Sequence, residues 1–166
     1  MKKNYIIDGY NLGFKIPSIA KWINSGETDR AIELIKNFLI NGLVSKSNQI
    51  ILVFDGTSQH TGNNSKQGKL YVMFSKKPQT ADDIIRQFIR SQKNASQWIV
   101  VSSDSEIRYT AEDMGAIVMT SENLIASLKQ HRSKSQIQSN KEKYQPENID
   151  INYWLKKFNQ SGDKTK

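Results

Sequence analysis

Short apolar runs closed by polar turn residues recur along the chain, and apolar positions at helical spacing lie between them. The runs Tyr5–Ile7, Gln49–Phe54, Leu70–Ser75, Gln97–Ser102 and Ala116–Met119 read as strands. Runs this short, bounded by turn signals, suit strands buried on both faces of a parallel sheet. Trp22 and Ile23 fall in a short helix broken at Ser25-Gly26-Glu27. Ala31, Ile32, Leu34, Ile35, Phe38 and Leu39 predict a helix, with Thr28 or Asp29 able to cap it and Asn41-Gly42 at its end. Thr80 caps a helix carrying Ile84, Ile85, Phe88 and Ile89, another runs from about Glu106 to Met114, and Ser121 caps a last core helix to about His131. Strand, helix and strand in succession imply right-handed βαβ units, hence an α/β fold with a mainly parallel central sheet. Leu12 to Pro17 reads as a loop, and 57–69, with its Gly, Asn and His60, as a mobile loop.

Beyond residue 131 the pattern changes. Residues 132–147 are Ser, Lys, Gln and Asn with few apolar positions, and read as a polar linker. Residues 148–166 hold Ile149, Ile151, Tyr153, Trp154, Leu155 and Phe158, and predict a short C-terminal helix and tail. The 166 residues thus suit one domain over 1–131 with an appendage.

Composition removes several chemistries. The chain has no cysteine, so disulfides, thiolate metal sites and cysteine nucleophiles are excluded. Two histidines, His60 and His131, do not make a multi-histidine zinc site. No apolar leader follows Met1-Lys2-Lys3-Asn4 and no stretch approaches a membrane span, so the expectation is a cytoplasmic protein with no membrane partner. A net charge of +8, a pI near 9.6 and a mean hydropathy of -0.61 fit either a solvated lysine face or a polyanionic partner such as nucleic acid.

Acids stand where chemistry is expected. Asp8, Asp55 and Asp104 follow predicted strands, and Asp82 and Asp83 open a helix. In an open parallel sheet all of these lie at the carboxyl edge, where ligands bind. Crowded carboxylates repel one another unless a cation intervenes, and Mg²⁺ takes one or two carboxylates with several waters. Asn11, Ser102 and Ser103 are neutral oxygen donors suited to orienting a water or a phosphate. Each position also has a plain structural reading. Asp55 can simply serve a turn, Asp82 or Asp83 can serve the helix dipole, and Asp104 can cap a helix with Glu106 in its first turn. Asp8 is hardest to explain that way, because a charge directly after a buried strand needs a partner. Gly9 is expected to let the backbone turn there without a Cβ clash. Lys15, Lys66, Lys69, Lys76, Lys77, Arg86 and Arg108 are a solvated rim or contacts to phosphates, and Tyr10, Phe14 or Trp22 can stack a base.

Four segments in order, Ile-Asp-Gly-Tyr-Asn at 7–11, Val-Phe-Asp-Gly at 53–56, Thr-Ala-Asp-Asp at 80–83 and Ser-Ser-Asp at 102–104, resemble the NYN domains, relatives of the PIN-like nucleases. The resemblance is closest to the bacterial YacP-like branch and runs from Asn4 to about Leu128. It implies a three-layer α/β/α sandwich, Mg²⁺ or Mn²⁺ dependence and endoribonuclease activity on RNA, with messenger RNA and the ribosome as partners. Carried over by position, Asp8, Asp82 and Asp104 hold the metal, and Asn11 supports the site. Asp55 is a secondary acid, Asp83 an alternative to Asp82, and Glu106 stands where some relatives place a further acid. A non-cleaving RNA- or ribosome-binding adaptor is the alternative. A haloacid-dehalogenase-like phosphatase, suggested by Phe54-Asp55-Gly56-Thr57, fails because its nucleophile position is Val53.

Overall fold

Residues 1–56 and 64–130 are described by the computed structural model; the stretches expected to form a polar linker and a C-terminal helix, and His60, lie outside them. Six strands, β1 (Lys3–Asp8), β2 (Ser47–Phe54), β3 (Ser65–Gln67), β4 (Leu70–Phe74), β5 (Trp98–Val101) and β6 (Ile117–Met119), form one sheet in the order β3-β4-β2-β1-β5-β6. All neighbours are parallel except β3 and β4. The helices are α1 (Gly9–Phe14), α2 (Pro17–Asn24), α3 (Thr28–Gly42), α4 (Ala81–Ser91), α5 (Ser105–Asp113) and α6 (residues 121–130).

The strand side chains alternate between two cores. Ile7, Leu52, Phe54 and Val101 face one core with Leu12, Ile19, Ile35 and Leu39 of the first three helices and Leu124 and Leu128 of α6. Ile6, Ile51, Val53 and Val100 face the other, with Ile85 and Ile89 of α4 and Ile107 of α5. The result is the expected three-layer α/β/α sandwich with a mainly parallel sheet.

Local structure departs from the sequence reading in three places. Residues 12–17 are not a loop: α1 starts directly after β1, and Pro17 opens α2, where its missing N–H costs nothing. Gly9, by contrast, avoids a Cβ clash as expected, and the clashing group is the Phe54 ring rather than the backbone, since its φ is not positive. Neither Thr28 nor Asp29 caps α3, whose N-cap is Glu27, without a side-chain bond. Strand β3 lies in the stretch read as loop. All three of its residues are exposed, so no apolar alternation marks it, and it is defined by edge pairing with β4.

Candidate active site

Strand β1 sits between β2 and β5, and the crossovers from its two sides lie on opposite faces of the sheet. The carboxyl end of β1 is therefore the topological switch point, where such sheets open a crevice. Asp8, level with Val53 of β2, ends the strand there and caps α1, its Oδ1 accepting from the Asn11 N–H at 3.2 Å. Burial pushes its carboxyl up to about 6; the Asn11 N–H opposes this, and the charges of Asp82, Asp55 and Asp104 add to it. Asp82 is also raised, by partial burial first and then by Asp104 and Asp55, against Arg86. The four acids thus share one electrostatic cluster. Among the described residues no lysine or arginine pairs with Asp8, and no three acidic or histidine side chains are grouped closely enough to ligate one ion directly. The donor set fits a hydrated hard cation that uses one or two carboxylates and keeps its waters.

Hydrogen bonds fix Asp55, Asp83 and Asp104. Asp55 Oδ1 accepts from the Ala81 N–H at 2.7 Å and from the Ser75 hydroxyl at 3.3 Å, tying the end of β2 to the start of α4. Thr80 and Asp83 form a reciprocal capping box at the same helix start, with bonds of 3.0 and 3.2 Å between backbone N–H and side-chain oxygen. Thr80→Ala is expected to cost about 1 kcal/mol, read from urea unfolding. Asp104 caps α5, Oδ1 accepting from the N–H groups of Glu106 at 2.9 Å and Ile107 at 3.1 Å, while its own N–H donates to buried Ser102 Oγ.

Asn11 is a clamp. Its Oδ1 accepts from the Ser103 N–H at 3.0 Å and from the buried Ser121 hydroxyl at 2.7 Å, joining α1, the end of β5 and α6. The Ser103 hydroxyl donates to Glu122 at 2.6 Å, and Glu122 pairs with Lys15 at 3.0 Å. Those two partners, Ser103 first, bring the Glu122 carboxyl down to about 2. Ser121 and Glu122 were not among the site residues expected from sequence. Ser121 read as a cap, but the side chain that caps α6 is that of Thr120, accepting from the Asn123 N–H.

Asp83 and Glu106 both bind Arg86, at 3.0 and 3.4 Å, in a surface network between α4 and α5. Bonds from Thr80, with help from Arg86, lower the Asp83 carboxyl. Arg86 is thus engaged by acids of its own chain. Lys69 donates to the Ser47 carbonyl at 3.0 Å, at the amino edge of the sheet and away from the acids. Lys66 lies 4.8 Å over the Tyr71 ring on the outer strands. Lys76 and Lys77, exposed directly after β4, stand at the carboxyl edge. Arg108 is half-buried on α5, with its Nε lacking a partner among the described residues. Tyr10 packs edge-on against Phe54 at 5.0 Å, and the Arg30 guanidinium covers the Trp22 ring at 3.7 Å, whereas Phe14 is 49 % exposed.

Comparison with solved structures places this architecture beside Rae1 (YacP) from Bacillus subtilis. The crystal structure of Rae1 superposes with a TM-score of 0.63 at 21% identity, over 96% of this chain and 95% of that one. A tryptophan-to-leucine mutant of the same Bacillus subtilis protein gives 0.64 at 19% identity, over 92% and 89%. At such identity the likeness is one of fold. No curated protein matches the sequence. The sequence model of the YacP-like NYN domain matches residues 5–161, extending past Leu128, where the motif resemblance ends, and through the polar stretch. The chain therefore belongs to the YacP-like NYN domain family, a family of nuclease type.

Proposed function

We propose that the protein is a metal-dependent endoribonuclease that cleaves single-stranded RNA at the carboxyl edge of the sheet. The observation that carries this reading is Asp8: a desolvated carboxylate at the switch point, facing three further acids and paired with no cation among the described residues. A fold that needed only a helix cap there would be more stable with an uncharged residue. Asp8, Asp82 and Asp104 are assigned to hold Mg²⁺ or Mn²⁺. When bound, the ion supplies positive charge at the scissile phosphate and lowers the pKa of water. The other residues position the chemistry. Asp8 and Asp104 each use Oδ1 for capping, leaving Oδ2 for the cation or its waters. Asn11, its Oδ1 held by Ser103 and Ser121, has Nδ2 to donate to a water or a phosphate oxygen. Asp55 and Ser75 hold the start of α4 and thereby Asp82, and Lys76 and Lys77 supply phosphate contacts at the rim. The family resemblance adds messenger RNA, associated with ribosomes in the cytoplasm, as the substrate. No helix among the described residues is long and apolar enough to cross a membrane.

The test is cleavage of end-labelled single-stranded RNA, with and without ribosomes, in Mg²⁺, Mn²⁺ or EDTA. Products are expected with either metal and none in EDTA. Cleavage that persists in EDTA, or no cleavage in any condition, overturns the proposal. One observation favours the adaptor instead: Asp8, Asp55 and Asp104 each give an oxygen to backbone N–H groups, and no three acids among the described residues form a ready ligand group. The adaptor would bind RNA equally in EDTA and cut nothing.

A further inference from the structure

We propose that a groove between β4 and α4 seats one base of the RNA strand, one or two nucleotides from the cleaved phosphate; this rests on the nuclease reading. The groove has a volume of about 490 Å³, ample for a nucleotide. Met73, Ile84 and Phe88 give it an apolar lining, and the amides of Gln79 and Gln87 stand within it. Gln79 Nε2 donates to Gln87 Oε1 at 2.9 Å. That bond fixes both amides and leaves one acceptor, Gln79 Oε1, beside one donor, Gln87 Nε2. A flat apolar solute with a donor and an acceptor on one edge matches this arrangement, and an unstacked nucleobase is such a solute.

Charge and position favour RNA over other occupants. None of the described residues lining the groove is acidic, and Lys76 supplies a cation. The acid cluster, by contrast, lies at the start of the same helix. The two are linked through short segments. Lys76 follows Ser75, whose hydroxyl donates to Asp55, and Gln79 precedes Thr80, the cap of the helix that carries Asp82. Along α4, Gln87 is about 8 Å from Asp82 at 1.5 Å per residue. A strand with its phosphate at Asp8 and Asp82 therefore reaches the groove with a neighbouring base. Lys76 would then contact the intervening backbone.

The experiment uses the full chain. Cleavage sites in a random-sequence single-stranded RNA pool are mapped for wild type and Gln87→Leu, which is exposed and keeps the apolar lining. Affinity for the same pool is measured on the Asp8→Asn background with and without Gln87→Trp, which fills the groove. Wild type is expected to prefer particular bases at one position within two nucleotides of the cut, and Gln87→Leu to flatten that position alone. Gln87→Trp is expected to weaken binding about tenfold, the scale of losing one stacked base. Unchanged preference and unchanged affinity overturn the groove assignment, including the case in which it receives a protein side chain instead. If wild type cleaves, Asp8→Asn does not, and the Gln87 variants behave as their parents, the groove proposal fails alone. Cleavage that ignores Asp8 overturns the nuclease reading, while the affinity pair still decides whether RNA occupies the groove.

Discussion

Asp8→Asn is expected to abolish metal-dependent cleavage and at the same time to raise the melting temperature at pH 7.5. The two effects have one origin. The substitution keeps the shape of the side chain and an Oδ1 that can accept from the Asn11 N–H, and removes the charge. In the folded protein that charge is unfavourable: the carboxyl titrates at about 6 against an ordinary 3.8. At 1.36 kcal/mol per unit the shift is worth at most roughly 3 kcal/mol, and relaxation of the site reduces the expected gain to about 2 kcal/mol. That corresponds to a rise of about 5 °C for a chain of this size. The pH dependence has a definite sign. A carboxyl whose pKa rises on folding leaves stability intact below about pH 4 and removes it as pH climbs through about 6. The advantage of the variant should therefore vanish below pH 4 and be complete above pH 7. Added Mg²⁺ should stabilise the wild type and not the variant, closing the gap from the other side, because a ligand that binds only the folded state adds to its stability. Thermal unfolding across pH, with Mg²⁺ or EDTA, measures all of this. A variant that melts lower than wild type at pH 7.5, or that still cleaves, would make Asp8 a structural cap and nothing more.

The parts of this fold that were legible in the chain are those where one physical requirement dominates. Ile6 and Ile7 are both fully buried, one on each face, so β1 had to read as an unbroken apolar run. Strand ends in Asp were legible because a carboxylate after such a run is costly without a purpose. The loop expected at 12–17 failed for a different reason. Helix α1 is only six residues long and holds two glycines, and its support is tertiary: the Asp8 cap, and Gly13 packed under Ile23 and Ile35. Ser121 joins Asn11 across 110 positions of sequence, a contact that no local pattern announces. Lys69 was legible in principle, since a residue just before a parallel strand lies at the edge away from the site. Arg86 likewise stands three residues after Asp83, a spacing at which helical ion pairs form.

The largest expected effect on folding falls one residue beyond Asp8. Gly9→Ala should destabilise the protein by about 3 kcal/mol, although alanine is the better helix former by about 1 kcal/mol and Gly9 lies in α1. The backbone is not the obstacle, because φ at Gly9 is not positive. The obstacle is Phe54: a methyl at position 9 would stand 2.6 Å from its Cδ1 and 2.7 Å from its Cζ. The ring has nowhere to retreat. It is fully buried, stacked on Phe74 at 5.7 Å and met edge-on by Tyr10 at 5.0 Å. The helix must move instead, and it carries Asn11, the residue that joins β5 and α6 to the site. Cleavage should therefore fall together with stability. Phe54→Leu alone leaves a cavity and is destabilising, but it makes room for the methyl. The double variant should then be more stable than the sum of the two single losses allows, by at least about 1 kcal/mol in a urea-unfolding cycle. Additive losses would mean that the contact between position 9 and the ring does not set the start of α1. A Gly9→Ala protein as stable as wild type would mean that the close approach of helix to strand is not what this glycine provides.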